Sequence, residues 1–342
     1  RKREPRGMPG RDTVPREHGR LRRAMHESKS TRGRSSKPRG VRRDPDPRSL
    51  AVEAVLLCKG LRAREVVELL KRAKEYGLRV EIPGEGEVDR WLSGDIPDWY
   101  TRSTLYLALK GDRSSGRKPI KIRPELAELM GEWAAEVGRG SVPKSTELEH
   151  AEKFAKLMTA VTGIEHRPKE DWSCGFLVWR VGSSEALKYL YRTGLYKVIA
   201  LRWPGEFLRG LFDGDGSVSA WAYEGMWKGR KIVQLHFGLE VTLEREERDL
   251  VEFVRKLMEE EFGIRMSEKK GHGECVKLYC KNNASAIRKF AREVGFGLSR
   301  KQRRLDTLLY LLRFKGRARV REFLEIKERW HEEYRPKIEK QS

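Results

Sequence analysis

An α+β fold of two related halves, led by a small helical module and a basic arm, is what this 342-residue sequence predicts. Three observations carry the prediction. PELAELMGEWAAEVG, from Pro124, can be laid over PGEFLRGLFDGDGSV, from Pro204, so that Gly131 falls on Gly210, Ala135 on Gly214 and Glu136 on Asp215. After each copy, helix-spaced and strand-like stretches follow in the same order. Ahead of both, apolar residues are scarce up to residue 48 and recur at helical spacing from Ser49.

Residues 1–48 hold 17 Lys or Arg against 6 Asp or Glu, a net of +11 and half of the +22 on the whole chain. So few apolar residues cannot form a core, and the segment reads as a disordered arm able to track phosphates. The whole chain has 73 Lys and Arg against 51 Asp and Glu. Such an excess repels itself until a polyanion neutralises it, which makes nucleic acid the first candidate partner. No apolar run approaches the ~20 residues that span a bilayer, and no signal-peptide core follows the N-terminal arginines, so no membrane partner is expected. Cys58, Cys174, Cys275 and Cys280 form no CxxC pair and read as reduced thiols of a cytoplasmic protein.

Residues 49–97 contain SLAVEAVLLC, REVVELLKRAKEYG and GEVDRWLSG, three helical patterns with Gly60, Gly77 and Gly94 as stops. This resembles a helix-turn-helix module, in which the helix bearing Arg90 and Trp91 would enter the major groove of DNA. A plain three-helix bundle with Trp91 in its core shares the pattern. Residues 98–123 lack periodicity and read as a linker, with GDRSSGRKP at 111–119 exposed and basic.

The repeats follow, at 124–203 and 204–314. Each starts with a proline at a first helical turn, where its missing N–H costs nothing. Gly131 and Ala135, like Gly210 and Gly214, are four apart, hence on one helix face. Small residues there let two helix backbones approach closely. Helices packed so would end side by side and aim Glu136 and Asp215 at one place. Asp213, two residues earlier, faces elsewhere. Carboxylates at helix C-termini oppose the helix dipole, and a divalent cation would offset that.

After the second copy, SVSAWAYEG and KIVQLHFGLEVT read as a hairpin, followed by helix LEREERDLVEFVRKLMEEEFG, strand ECVKLYCK and helices NNASAIRKFAREVG and SRKQRRLDTLLYLLRF. A C-terminal basic helix occupies 315–342. In the first half, STELEHAEKFAKLMTAVTG, FLVWRVG and SSEALKYLYRTG give helix, strand and helix. Strand alternation would turn Lys231, Gln234 and His236 toward a ligand.

FLRGLFDGDGSV is similar to the motif of the LAGLIDADG homing endonucleases, and KPIKIRPELAELMG resembles the lead-in to the first motif in free-standing archaeal members. The resemblance implies two pseudo-symmetric αββαββα repeats whose sheets form a saddle over double-stranded DNA. Their motif helices would make the interface, with Glu136 and Asp215 holding Mg²⁺, or Mn²⁺ in its place. It also implies a basic group near the scissile phosphate, for which Lys277 and Lys281 are candidates in the second half and Arg180 in the first. A cytoplasmic, prokaryotic and archaeal setting and a monomer follow from the same resemblance.

The first copy departs from the family pattern. Glu136 stands at the usual aspartate and Val137 at the usual glycine, where a positive φ would disfavour valine. Only residues 137–146 separate it from the next helix, against 216–242 in the second copy, so the first repeat is expected to be shortened. Two functions follow: a site-specific DNA endonuclease, or a relative that has lost cleavage and acts as a DNA-binding regulator or intron-RNA splicing helper.

Overall fold

The computed structural model describes residues 45–100, 105, 108–109, 111, 119–136, 143–172, 177–182, 184–227, 230–271 and 273–332. Most of the basic arm, most of the 111–119 stretch, Val137 and Cys174 lie outside them.

Three helices come first: α1 (Pro47–Leu57), α2 (Ala63–Glu75) and α3 (Glu85–Ser93). Asp46 caps α1 by accepting the Ser49 N–H at 3.0 Å, with Pro47 at the first turn. Gly94, at φ +102°, ends α3. Trp91 is buried in the core of this cluster, whereas Arg90 is exposed. The cluster is bolted to the rest by buried and half-buried polar groups. Tyr189 donates to Glu53 at 2.8 Å, Arg202 to the Leu57 carbonyl at 2.9 Å, and Lys197 to the Tyr76 carbonyl at 2.6 Å. The expected linker at 98–123 also contributes to the core, through the fully buried Leu105.

The first half runs α4 (Pro124–Glu136), β1 (Lys144–Ser145), α5 (Leu148–Thr162), β2 (Lys169–Asp171), β3 (Val178–Arg180), α6 (Glu185–Arg192) and α7 (Tyr196–Arg202). The second runs α8 (Pro204–Asp215), β4 (Gly216–Trp227), β5 (Arg230–Glu244), α9 (Arg248–Phe262), β6 (Ser267–Lys270), β7 (Cys275–Lys281) and α10 (Ala284–Glu293). The second half is therefore a full αββαββα unit. Helices α11 (Ser299–Leu311) and α12 (Gly316–Glu332) close the described chain.

Both sheets are antiparallel, ordered β1-β3-β2 and β4-β5-β7-β6. Period-2 alternation places Val218, Ala220, Leu235, Phe237 and Leu239 in the core and leaves the opposite face of the second sheet open. Helices α4 and α8 lie at the centre, with Trp133, Phe207 and Phe212 fully buried beside them. Among the described residues no helix is long and apolar enough to cross a membrane.

Candidate functional site

The approach of α4 and α8 is set by their glycines. A Cβ on Gly131 would lie 2.0 Å from the Phe207 carbonyl oxygen, and one on Gly210 would lie 2.0 Å from that of Glu128. No side chain fits there, so the backbones touch. One turn on, a Cβ on Gly214 would meet the Cβ of Ala135 at 2.4 Å and the Glu136 Oε1 at 3.5 Å. Gly131, Ala135, Gly210 and Gly214 thus share one interface. The last turn of α4, carrying Glu136, abuts the last turn of α8, carrying Asp215. Both acids are partly exposed.

Beneath this pair lies a buried polar layer. Glu128, Glu132 and Asp213 form a group of carboxylates with oxygens within 4.8 Å of one another. A cation already stands among them, because Lys153 Nζ is 2.6 Å from Glu128, 2.5 Å from Glu132 and ion-paired with Asp213. Burial opposes charge on Lys153, but Glu132, Asp213 and Glu128 outweigh it and hold its pKa above the ordinary lysine value. Asp213 also accepts the N–H groups of Gly297 and Leu298. It faces inward, away from Asp215.

His150 completes the layer, with Nε2 3.3 Å from Glu132 and Nδ1 3.9 Å from Glu136. Burial works against its protonation, yet the carboxylates of Glu132 and Glu136 raise its pKa. Lys301, on α11, donates to the carbonyls of Phe212 at 2.9 Å, Gly214 at 3.1 Å, and Asp213. Those carbonyls lie in the last turn of α8, where the helix leaves acceptors to be satisfied from outside, although Phe212 also accepts the Gly216 N–H. Burial pulls the Lys301 pKa down to about 8. Lys153, His150 and Lys301 carry no mark in the sequence, since each sits among ordinary charged helix residues.

On the open face of the second sheet, Tyr223 pairs with Gln234 and Trp221 with His236. Lys231 departs from expectation. It is an odd number of residues from Gln234, and the β4–β5 register is unbroken, so it lies on the opposite face of β5. Lys277 is on the open face but tied to Glu240 at 2.8 Å, while Lys281 is exposed. In the first sheet, Lys144, Arg180 and Lys169 stand in one register row. Arg180 is exposed there, while Lys144 is paired with Asp171 at 2.9 Å.

Residues 202–295 match the family described as LAGLIDADG-like domain. No curated protein matches the chain. Among solved structures, the N-terminal LAGLIDADG domain of DUF199/WhiA is 21% identical, with a TM-score of 0.34 over 52% of this chain and 86% of that one. Full-length DUF199/WhiA from Thermatoga maritima is 19% identical, with a TM-score of 0.38 over 60% of this chain and 66% of that one. I-SmaMI bound to an uncleaved DNA target in the presence of calcium ions is 16% identical, with a TM-score of 0.41 over 61% of this chain and 98% of that one.

Proposed function

From a chain that carries a LAGLIDADG-like domain at residues 202–295, we propose a monomeric, site-specific endonuclease of homing type acting on double-stranded DNA. The observation that carries this reading is the abutment of the helix ends bearing Glu136 and Asp215, enforced by backbone contact at Gly131 and Gly210. Two motif copies in one chain make a second subunit unnecessary.

Glu136 and Asp215 would hold a divalent cation, Mg²⁺ or Mn²⁺, whose preferred ligands are carboxylate oxygens. The carboxylates fit such an ion better than the buried group does. They are partly exposed at the helix ends, whereas Glu128, Glu132 and Asp213 already surround Lys153. Bound there, the ion would act as a Lewis acid on a phosphoryl oxygen and lower the pKa of a water. The chain's own residues prepare the site. Lys301 neutralises the carbonyl end of α8, and His150 holds the flank of Glu136. Gln234, His236 and Lys281 on the second sheet, and Arg180 on the first, would meet DNA. Arg90 and the basic arm would add contacts outside the saddle. Lys277 is the weaker candidate for a group at the scissile phosphate, because Glu240 already engages it.

A second reading, a relative that binds DNA or intron RNA without cutting, is favoured by one feature. Among the described residues, the strands of the first sheet run two or three residues. Selection of bound duplexes from a random pool, followed by incubation of the selected duplex with Mg²⁺, separates the two. A discrete cut within the selected site supports the endonuclease. Specific binding without any cut, in Mg²⁺ or Mn²⁺, supports the binding module.

A further inference from the structure

Aromatic rings gather on the open face of the β4–β5 hairpin. Trp221 and Tyr223 are 39% and 53% exposed. The Trp221 and His236 rings stack with centroids 5.7 Å apart and planes 21° apart, and Tyr223 meets His236 edge-on at 5.2 Å. Lys281 Nζ lies 5.3 Å from the centre of the Trp221 ring. The imidazole is held in place. Asn282, the one non-glycine residue at positive φ among those described, accepts the Phe237 N–H at 3.0 Å and donates to His236 Nδ1 at 2.9 Å. Burial, then the charge of Lys281, keeps the His236 pKa below its ordinary value. The ring is therefore neutral near pH 7.

Single exposed aromatics are ordinary, but three rings at adjoining register positions form a patch. Behind it, Arg319 of α12 sits over Phe237, and Ala220, Leu235 and Phe237 enter the core. The patch combines stacking faces, an ammonium and an amide. That is the equipment with which proteins take up unpaired bases and the phosphates between them. In a B-form duplex the base faces are covered by one another and only edges show in the grooves, so the Trp221 and Tyr223 rings would have no base face to meet.

We propose that the face formed by Trp221, Tyr223 and His236 binds unpaired bases of a single-stranded nucleic acid segment, with Lys281 against the adjoining phosphate. It rests on the reading of this sheet as the nucleic-acid surface and adds the state of the strand it accepts.

The test titrates the full chain, at one salt concentration, with a labelled short oligothymidylate, the matching oligouridylate, an abasic strand of equal length and a duplex. At least about tenfold tighter binding of a base-bearing strand than of the abasic one is expected, as is quenching of tryptophan fluorescence. The DNA and RNA arms tell which backbone is preferred. Trp221→Ala should weaken single-strand binding about tenfold. Trp221→Phe should retain most of it, and duplex affinity should stay within about twofold. Equal affinity for abasic and base-bearing strands would overturn the proposal. So would a Trp221→Ala variant that binds single strands normally, or one that loses duplex and single strand alike. Failure of the wild type to bind any duplex would instead count against the endonuclease reading and leave this one standing on its own arms.

Discussion

The two halves share their helices and differ in their sheets. Helices α4 and α8 touch through equivalent glycines, and α5 and α9 both end in a left-handed glycine, Gly163 and Gly263. In the sheets, the order β1-β3-β2 corresponds to β5-β7-β6, and β4 has no described counterpart. Among the described residues, the hairpin of Gly216–Trp227 and Arg230–Glu244 in the second half stands against the two-residue β1 in the first. A backbone-to-backbone helix contact tolerates no side chain, so it constrains both copies equally. A surface strand carries no such constraint.

The most damaging way to break the shared part is to add a methyl group. Gly131→Ala and Gly210→Ala should each cost about 4 kcal/mol or more, because overpacking against backbone has no escape. Denaturant melts should show similar losses in both, with Gly84→Ala, whose Cβ would meet nothing within 4 Å, nearly silent. A mild effect at one glycine alone would mean the helices do not pack as equals.

Lys153→Met takes the cation from buried Glu132 and Asp213 and partly buried Glu128, and should cost about 3–5 kcal/mol by the same melts. Lys301 gives a pH signature of comparable or smaller size. Its folded pKa, about 8, lies below the ordinary 10.5, so between these values the unfolded chain holds a proton that the folded one has lost. Stability contributed by this group therefore grows with pH across that window. Relative to Lys301→Met, the wild type should gain up to about 3 kcal/mol on going from pH 8 to pH 10.5. No relative gain would mean that Lys301 is not buried as described.

The unshared part is probed by binding. Gln234→Ala should weaken a selected duplex by about 1–3 kcal/mol and relax its sequence preference, as loss of a base contact does. Arg180→Ala, on the shorter sheet, should weaken all duplexes slightly and evenly. Removing residues 1–48 should have the smallest effect on preference and lower the salt dependence. A truncation that abolished preference at constant salt would make the arm a base reader.

The α+β frame was legible because glycines four apart and alternating apolar strands leave a direct mark on sequence. Other parts left none. Strand β6, SEKK, is exposed at every residue and has no periodicity to read. Helix α7 is buried from Tyr196 to Leu201, so it shows no amphipathic stripe. Lys153, His150 and Lys301 acquire their roles only when distant helices bury them together, and a buried lysine is written with the same letter as a solvated one. The placement of Lys231 is different, since strand parity alone separates it from Gln234 and His236. The helical module was set apart by its glycine stops, but its docking depends on Lys197, Tyr189 and Arg202, residues of a later segment.

Cleavage of the selected duplex in Mg²⁺ by wild type, Asp215→Asn and Glu136→Asp tests the paired-carboxylate site most directly. Ligands must lie about 2.0–2.1 Å from Mg²⁺, a tolerance that one methylene group can exceed. Asp215→Asn should lose cleavage while binding as well as the wild type or better, and Glu136→Asp should cut at least as fast as the wild type. Equal cleavage by wild type and Asp215→Asn would contradict the assignment.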